Sequence, residues 1–452
     1  MVFSSIEFIY IFLPLFILIY YMVPPKGRNV CLFAGSLVFY GIGSIEYPHH
    51  FFIFILSIIV NYGMGRWLEK TRYPKYVLAA GIGYNLLGLV LFKYTWFFKV
   101  PGIFSVLPIG ISFYSFQAIS YLCDIYKRSC IAERSFIRFG TYLSMFPQLI
   151  AGPIVKYPSV QTQLLHREYT LHRFAKGLQI FILGLGSKVI LANRVGALWT
   201  QLSTIGYDSI STPLAWLGLI AYTFQIYFDF LGYSLMAVGL GQVLGFDLPK
   251  NFDDPYLAVS MTDFWRRWHM TLGSWFREYL YIPLGGNRGS KGQLVRNLFI
   301  VWLLTGIWHG AGWNFVLWGF VLFVCIAVEK AGLKVFLEKH KILGHAYMAM
   351  LIPVTWAIFA HPDWQQMLLF FRRLFARGEV TGIVFEGDYI KYGLEYGIFL
   401  LLSFLFILKI PQKIYNKIKD TYLEYIILVC IFGIAIYYLY MGLDDPFLYY
   451  QF

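Results

Sequence analysis

The chain has 452 residues, of which 58% are hydrophobic, 20% are aromatic and only 13% are charged, with a mean hydropathy of +0.61. Soluble domains carry about 25% charged residues, so this composition excludes a soluble globular protein and predicts a polytopic membrane protein with a single domain over 1–452. The formal charge of +13 is spread over short loops. Such loops bind anionic lipid headgroups, so we expect the lipid bilayer as partner and no nucleic acid.

Four apolar runs open the chain, at 6–23, 30–42, 51–64 and 76–92. Basic loops at 24–29 and 65–75 alternate with less basic ones. Because positively charged loops stay on the cytoplasmic side, this alternation places the N-terminus outside and predicts a further outside loop at 99–105.

Proline and glycine interrupt two segments in the middle of the chain, at 107–122 and 142–155. Proline removes a backbone donor, so both segments are predicted to be kinked and buried in protein. The first is read either as a span or as a broken re-entrant helix.

The second half of the chain adds further apolar segments. An interfacial stretch at 164–174 precedes a span at 175–192, and three final spans lie at 345–360, 392–408 and 422–441. The run at 213–246 is too long for one ordinary span and favours a bent helix or a tight helical pair. The fold predicted is all-α, with about ten to twelve transmembrane helices.

The candidate chemistry lies in 260–318. Over 261–279 the aromatic residues share one helical face and the charged residues the other, which predicts an interfacial helix with His269 at the edge of the aromatic face. The apolar run at 294–307 is too short to span the bilayer, and a glycine-rich break carrying His309 follows it. An ionisable side chain at membrane depth is a functional candidate by default.

Each histidine has a chemical and a structural interpretation. His309 is either a general base that takes a proton from an acceptor hydroxyl, or a side chain that hydrogen-bonds the helix break. His269 either orients the substrate or polarises its carbonyl, or is an interfacial residue whose polar tip reaches the headgroups.

The other polar candidates also have two interpretations. Gln225 and Asp229 lie one helical turn apart, where they line a substrate pocket or hold helices together. Four arginines form a basic face that guides a phosphate-bearing donor or binds lipid headgroups: Arg266, Arg267, Arg277 and Arg288.

Several common catalytic motifs are missing from the sequence. It contains no GxSxG elbow, no Walker A sequence and no HExxH. None of the five cysteines forms a CxxC, so we expect neither a disulfide framework nor a metal site.

Long and unusual strings in this sequence nevertheless resemble one known family. They are DFWRRWHMTLGSWFREYLYIPLGGNR (263–288), LLTGIWHGAGWNFVLWG (303–319), ISFYSFQAISYLCDIYK (111–127), MFPQLIAGPIVKY (145–157), YFDFLGYSLMAVGLGQVLGF (227–246), NFDDPY (251–256) and PFLYYQF (446–452). Together they are similar to the membrane-bound O-acyltransferase (MBOAT) family, in particular to its bacterial branch of alginate O-acetyltransferases.

The resemblance implies a ring of helices around a thinned central funnel, with a catalytic core at about 107–328. The family's catalytic histidine maps to His309, and its second histidine maps to His269. Under this reading the funnel is shaped by Trp268, Trp308, Trp313 and Asn314.

The resemblance also implies a reaction. An O-acyltransferase of this branch, in the bacterial inner membrane, passes an acetyl group from acetyl-CoA, or from an acyl carrier protein thioester, towards an exported polysaccharide. A separate extracytoplasmic acyltransferase completes delivery, and no cofactor stays bound to the membrane protein. A related branch moves D-alanine from a carrier-protein thioester towards teichoic acid and remains an alternative. A transporter or a non-enzymatic scaffold for an exopolysaccharide-modifying complex is the alternative of another class.

Overall fold

The computed structural model describes residues 2–94, 106–150, 152–376, 382 and 384–442. The predicted outside loop at 99–105 and the C-terminal PFLYYQF string lie outside the described residues. Within them every regular element is helical, which confirms the predicted all-α class.

The α-helices, numbered in chain order, are Leu13–Met22 (α1), Arg28–Gly43 (α2), Pro48–Lys70 (α3), Pro74–Tyr94 (α4), Ile111–Tyr126 (α5), Phe136–Ser144 (α6), Phe146–Leu149 (α7), Tyr157–Leu165 (α8), Leu171–Gly186 (α9), Asn193–Ile205 (α10), Thr212–Val243 (α11), Met261–Arg267 (α12), Met270–Phe276 (α13), Lys291–His309 (α14), Trp313–Val328 (α15), Lys334–Lys339 (α16), Lys341–Ala360 (α17), Trp364–Leu374 (α18), Asp388–Ile407 (α19), Ile410–Ile418 (α20) and Tyr422–Tyr440 (α21).

Seven helical stretches among the described residues are long and apolar enough to cross a membrane, which confirms a multi-pass membrane protein. They are Pro48–Lys70, Pro74–Tyr94, Leu171–Ile205, Thr212–Val243, Lys341–Ala360, Asp388–Ile407 and Tyr422–Tyr440. The predicted ten to twelve spans also include shorter segments, such as the first one predicted at 6–23, where the apolar helix covers Phe8–Met22. This helix extends about 22 Å at 1.5 Å per residue and so falls short of the hydrocarbon thickness.

Two expectations about the apolar runs are settled by the helix bounds. The run predicted at 213–246 is one helix of 32 residues, so the alternative of a helical pair is wrong. Its glycines lie within the helix and do not form a turn. Gly239 allows close packing instead, since a Cβ there would lie 2.5 Å from the carbonyl oxygen of Gly177. The span predicted at 175–192 is confirmed but longer, since one helical stretch runs over Leu171–Ile205.

The chain divides into two compact units, of which the first comprises Met1–Phe181, Tyr233–Lys250 and Ser274–Tyr279. Its described residues from Phe139 to Ile150 are all buried, and Pro147 opens the short helix α7 after a break at Met145. This confirms the kinked and buried segment predicted at 142–155, in which residue 151 lies outside the described residues. The interruption predicted within 107–122 lies at Gly110, before α5, because Gly110 adopts φ +71°.

The second unit comprises Ile182–Gly232, Asn251–Gly273 and Leu280–Phe452, and it contains both candidate histidines. Its helices α14 and α15 form a hairpin whose backbones nearly touch. A Cβ on Gly306 would lie 2.3 Å from the carbonyl oxygen of Phe315, and one on Gly319 would lie 2.5 Å from that of Trp302. Small residues allow this approach, which fixes the end of α14 and therefore the position of His309.

We expect Gly319→Ala to destabilise the protein by about 1–3 kcal/mol, because its methyl group would collide with backbone that cannot move aside. The measurement is thermal unfolding of the purified protein in detergent. Gly397→Ala in α19 is the matched control, since a Cβ there meets nothing within 4 Å and alanine favours the helix. Equal stability of the two variants would contradict the tight hairpin.

The single interfacial helix predicted over 261–279 is wrong in one respect, because the structure breaks it at His269. Helix α12 ends at Arg267, α13 begins at Met270, and a π-helix follows over Arg277–Tyr281. His269 lies in the break with φ +44°, a left-handed conformation that is rare for residues other than glycine. Helical periodicity on both sides of His269 concealed this turn.

Candidate functional site

His309 is the last residue of α14. The helix begins with a capping box in which Ser290 Oγ accepts from Gln293 N and Gln293 Oε1 accepts from Ser290 N. It stops at His309 because Gly310 is extended, with no room for a side chain: a Cβ there would lie 2.1 Å from the ring of Phe315. The prediction that His309 lies at a glycine-rich break is confirmed.

Aromatic rings enclose His309, which is only 5% exposed. Its ring centroid lies 4.8 Å from that of Trp308, 5.1 Å from that of Trp318 and 5.2 Å from that of Phe359, all in edge-to-face arrangements. These rings exclude bulk water from the imidazole. An imidazole in such a site can exchange a proton with a bound hydroxyl without competition from solvent.

His269 also lies near Trp308. Its ring centroid is 6.4 Å from that of Trp308 and 4.7 Å from that of Phe230, and the residue is 2% exposed. The structure therefore brings both predicted histidines to one tryptophan. His269 is outside the seven candidate spans, and burial lowers its pKa to about 3, so its ring is neutral at physiological pH.

Asn251 holds the turn that carries His269. Its side-chain oxygen Oδ1 lies 3.0 Å from His269 Nδ1 and accepts from Thr271 Oγ1 at 2.9 Å and from Thr271 N at 3.3 Å. Its backbone oxygen accepts from Met270 N at 2.9 Å. These bonds hold a backbone conformation that an isolated peptide would avoid, and such conformations cluster at functional sites.

Glu329 fixes the start of α12, the helix that leads into this turn. Its buried carboxylate accepts from Met261 N at 2.5 Å, from Thr262 N at 2.8 Å and from Thr262 Oγ1 at 2.6 Å. A carboxylate at a helix N-terminus satisfies backbone donors and complements the helix dipole. Glu329 thus sets the position from which α12 delivers His269.

The residues predicted to shape a funnel differ in their surroundings. Asn314 is buried, and its Nδ2 donates to the carbonyl oxygens of Phe359 at 3.0 Å and Ile358 at 3.4 Å. Trp308 contacts both histidines, whereas Trp268 packs against the ring of Trp356 at 5.0 Å within the aromatic core. Trp313 is 67% exposed.

Gln225 and Asp229 pack between helices. Asp229 forms an ion pair with Lys188 at 2.8 Å, and Lys188 also donates to Asn193 Oδ1 at 2.9 Å. Gln225 fills the space beside Gly196, where a Cβ would lie 2.4 Å from its Nε2. In these contacts the two residues act as the helix-joining pair that the sequence allowed.

The four arginines of the predicted basic face lie mostly at the surface. Arg266, Arg277 and Arg288 are exposed, and Arg267 is half-buried with its Nε donating to Asp263 at 3.0 Å. Arg277 belongs to the first compact unit and the other three to the second. The three exposed guanidinium groups, those of Arg266, Arg277 and Arg288, are accessible to phosphate or lipid headgroups.

Sequence reasoning missed several residues that contact or support the candidate residues: Asn251, Trp318, Phe359, Glu329 and Lys188. Only Trp318 carried a local signal, since it lies four residues after Asn314 and therefore on the same face of α15. The others reach the site from distant parts of the chain, so their spacing in sequence gave no indication.

Some buried polar atoms around His309 have no hydrogen-bond partner among the described residues. They are the indole Nε1 of Trp265, the indole Nε1 of Trp318 and the Oδ1 of Asn314. Trp318 is fully buried, its ring contacts that of His309, and the ring of Trp265 lies 5.4 Å from that of Trp318. Buried donors and an acceptor without a hydrogen-bond partner cost folding free energy, and they suit a polar reactant.

Comparison with known proteins shows which sequences this chain is similar to. The chain is 38% identical to the probable alginate O-acetylase AlgI of Azotobacter vinelandii over 403 residues, which cover 84% of this chain and 79% of the relative. It is 35% identical to the peptidoglycan O-acetyltransferase of Helicobacter pylori over 73% of this chain and 71% of the relative. It is 27% identical to the teichoic acid D-alanyltransferase of Lacticaseibacillus rhamnosus over 64% of this chain and 75% of the relative.

The model of one family, MBOAT, the membrane-bound O-acyltransferase family, matches residues 128–360. The matched range contains both histidines, Asn251, Glu329 and Phe359. With a match over more than half of the chain and relatives that cover most of it, this protein belongs to the membrane-bound O-acyltransferase family.

Proposed function

We propose that this enzyme transfers an acetyl group from acetyl-CoA on the cytosolic side of a bacterial inner membrane towards an extracytoplasmic polysaccharide, with His309 as general base. The observation that carries the proposal is the buried imidazole of His309, enclosed by aromatic rings beside unused polar atoms. The relatives named as O-acetylating enzymes support acetyl as the group transferred.

The proposed step is an acyl transfer to oxygen. His309 accepts the proton of the acceptor hydroxyl while the oxygen of that hydroxyl forms a bond to the carbonyl carbon of the thioester. The tetrahedral intermediate then collapses, the C–S bond breaks, and the departing thiolate takes the proton from His309. The indole N–H groups of Trp265 and Trp318 are donors suited to the negative charge that develops on the carbonyl oxygen.

The acceptor hydroxyl belongs either to the polysaccharide or to a separate extracytoplasmic acyltransferase that completes delivery. Arg266, Arg267, Arg277 and Arg288 would guide the phosphates of the donor. D-alanyl transfer from a carrier-protein thioester is the second candidate, favoured by the 27% identity to a teichoic acid D-alanyltransferase. The higher identity to the alginate O-acetylase supports the acetyl reading.

The test supplies membranes that contain the protein, together with cell-envelope polysaccharide and extracytoplasmic proteins of its host. They receive either radiolabelled acetyl-CoA or a carrier protein charged with labelled D-alanine. We expect label to leave acetyl-CoA for the envelope fraction, above the level in membranes that lack the protein. Transfer only from the carrier protein would replace the acetyl reading with the D-alanyl one, and transfer from neither donor would contradict both.

A further inference from the structure

The hydrogen bonds of Asn251 determine which nitrogen of His269 carries the proton. Asn251 Oδ1 faces Thr271 N, which is always a donor, at 3.3 Å. If the amide were turned around, its NH₂ group would face that N–H and two donors would meet. The atom that lies 3.0 Å from His269 Nδ1 is therefore the oxygen.

An amide oxygen only accepts hydrogen bonds, so Nδ1 must be the donor in this pair. Since the ring is neutral, a proton on Nδ1 leaves Nε2 with a lone pair. A carbonyl group can be polarised only by a donor, which this tautomer does not offer at Nε2. A hydroxyl or thiol, in contrast, can donate to it.

We propose that Asn251 is a positioning residue that fixes His269 in the Nδ1–H tautomer, so that His269 meets the reactants through Nε2 as a hydrogen-bond acceptor. The role of His269 towards the reactants rests on the acyl transfer proposed above, whereas its tautomer does not. It assigns His269 to the hydroxyl or thiol of a reactant and leaves the carbonyl oxygen to other donors. His309 and His269 then differ in role: His309 moves the proton, and His269 orients the group that carries it.

The backbone around Asn251 explains how one residue can hold this arrangement. Besides the bond from Met270 N to the Asn251 carbonyl, Asp253 N donates to the carbonyl of Arg267 at 2.9 Å. These bonds tie the segment after Asn251 to both sides of the turn at His269. The turn is thereby kept at φ +44°, which holds the backbone of His269 where its imidazole Nδ1 meets Asn251 Oδ1.

The tautomer is measured by solid-state NMR on the full-length protein in lipid, labelled with ¹³C and ¹⁵N at histidine. A difference between the wild-type and His269→Gln spectra isolates the signals of His269, provided that the remaining histidine signals are unchanged. We expect a protonated Nδ1 and an unprotonated Nε2. A proton on Nε2 would overturn the inference. This measurement needs no activity, so its failure is distinguishable from a failure of the proposed function.

Two variants of Asn251 test the consequence for catalysis. We expect Asn251→Ala to release the tautomer and to lower kcat by about 10- to 100-fold, as removal of the hydrogen-bond partner does for metal-bound histidines, with KM for acetyl-CoA near wild type. Asn251→Asp keeps an accepting oxygen and should restore the Nδ1–H tautomer and much of kcat.

The matched control is Asn287→Ala, which removes the same side chain from an exposed loop position. It should leave kcat unchanged. Two outcomes would overturn the positioning role: an unchanged tautomer and kcat in Asn251→Ala, or a loss in Asn251→Asp as complete as in Asn251→Ala despite a folded protein. If Asn251 had a merely structural role, its replacement would change the stability of the protein but not the tautomer of His269.

Discussion

Replacing His309 with alanine is expected to abolish acyl transfer and to leave a folded protein in the membrane. Positioned general bases contribute about 10²- to 10⁴-fold to rate, so the remaining activity should be at least about 10²-fold lower. The enclosing rings of Trp308, Trp318 and Phe359 carry no group that can act as a general base in place of the imidazole. Label transferred from acetyl-CoA in membranes measures the effect.

The alanine variant also leaves a hole among these rings, so a variant of similar volume separates chemistry from packing. His309→Gln keeps much of the side-chain volume but cannot act as a base at neutral pH, and it should be equally inactive. His345→Ala, at an exposed position of α17, is the histidine control and should transfer at the wild-type rate. A wild-type rate in His309→Gln would remove His309 from the role of base.

The second large effect concerns the buried pair of Lys188 and Asp229. We expect Lys188→Met alone to cost about 3–5 kcal/mol, because it leaves the carboxylate of Asp229 buried without its counter-charge. Both side chains are almost fully buried, with exposed fractions of 1% and 2%. Gly232 allows the helix that carries Asp229 to approach Lys188 closely, since a Cβ on Gly232 would lie 2.8 Å from Lys188 N. The measurement is the yield of monodisperse protein after extraction, followed by thermal unfolding.

A double replacement shows that the loss comes from the uncompensated charge. Lys188→Met combined with Asp229→Leu removes both charges and should recover most of the stability, because an apolar pair of similar volume often replaces a buried ion pair at little cost. Lys334→Met, at the partly exposed Lys334–Glu338 pair, should cost less than about 1 kcal/mol. Additive losses in the double variant would contradict direct coupling of Lys188 with Asp229.

Composition and hydrophobic run length were sufficient to predict an all-helical multi-pass protein, because in a bilayer the backbone must satisfy its own hydrogen bonds. They also placed His309 correctly at the end of an apolar helix, since the closely spaced Gly310 and Gly312 that follow it favour a helix end. Helix ends were less predictable. Polar residues open α14, which has 19 residues where the apolar run alone indicated fewer.

The parts of the site that escaped prediction are long-range contacts. Lys188 and Asp229 meet because two helices cross, and neither residue carries a local signal for the other. The break at His269 escaped for the opposite reason: the local pattern was strongly helical, and the tertiary bonds from Asn251 overrode it. Resemblance to a family identified the two histidines, whereas the residue that orients one of them emerged only from the geometry.

The aromatic packing around the site has an optical consequence. Of the 13 tryptophans in the chain, Trp265, Trp318 and Trp356 lie with ring centroids within 6.1 Å of one another. Trp302 and Trp268 extend the group at 5.2 Å and 5.0 Å. Indole transitions at such separations couple, and the coupling vanishes when fixed side-chain packing is lost. The near-ultraviolet circular dichroism of this protein therefore carries a strong contribution from the surroundings of His309, and the enzyme reports on the integrity of its own site without an attached label.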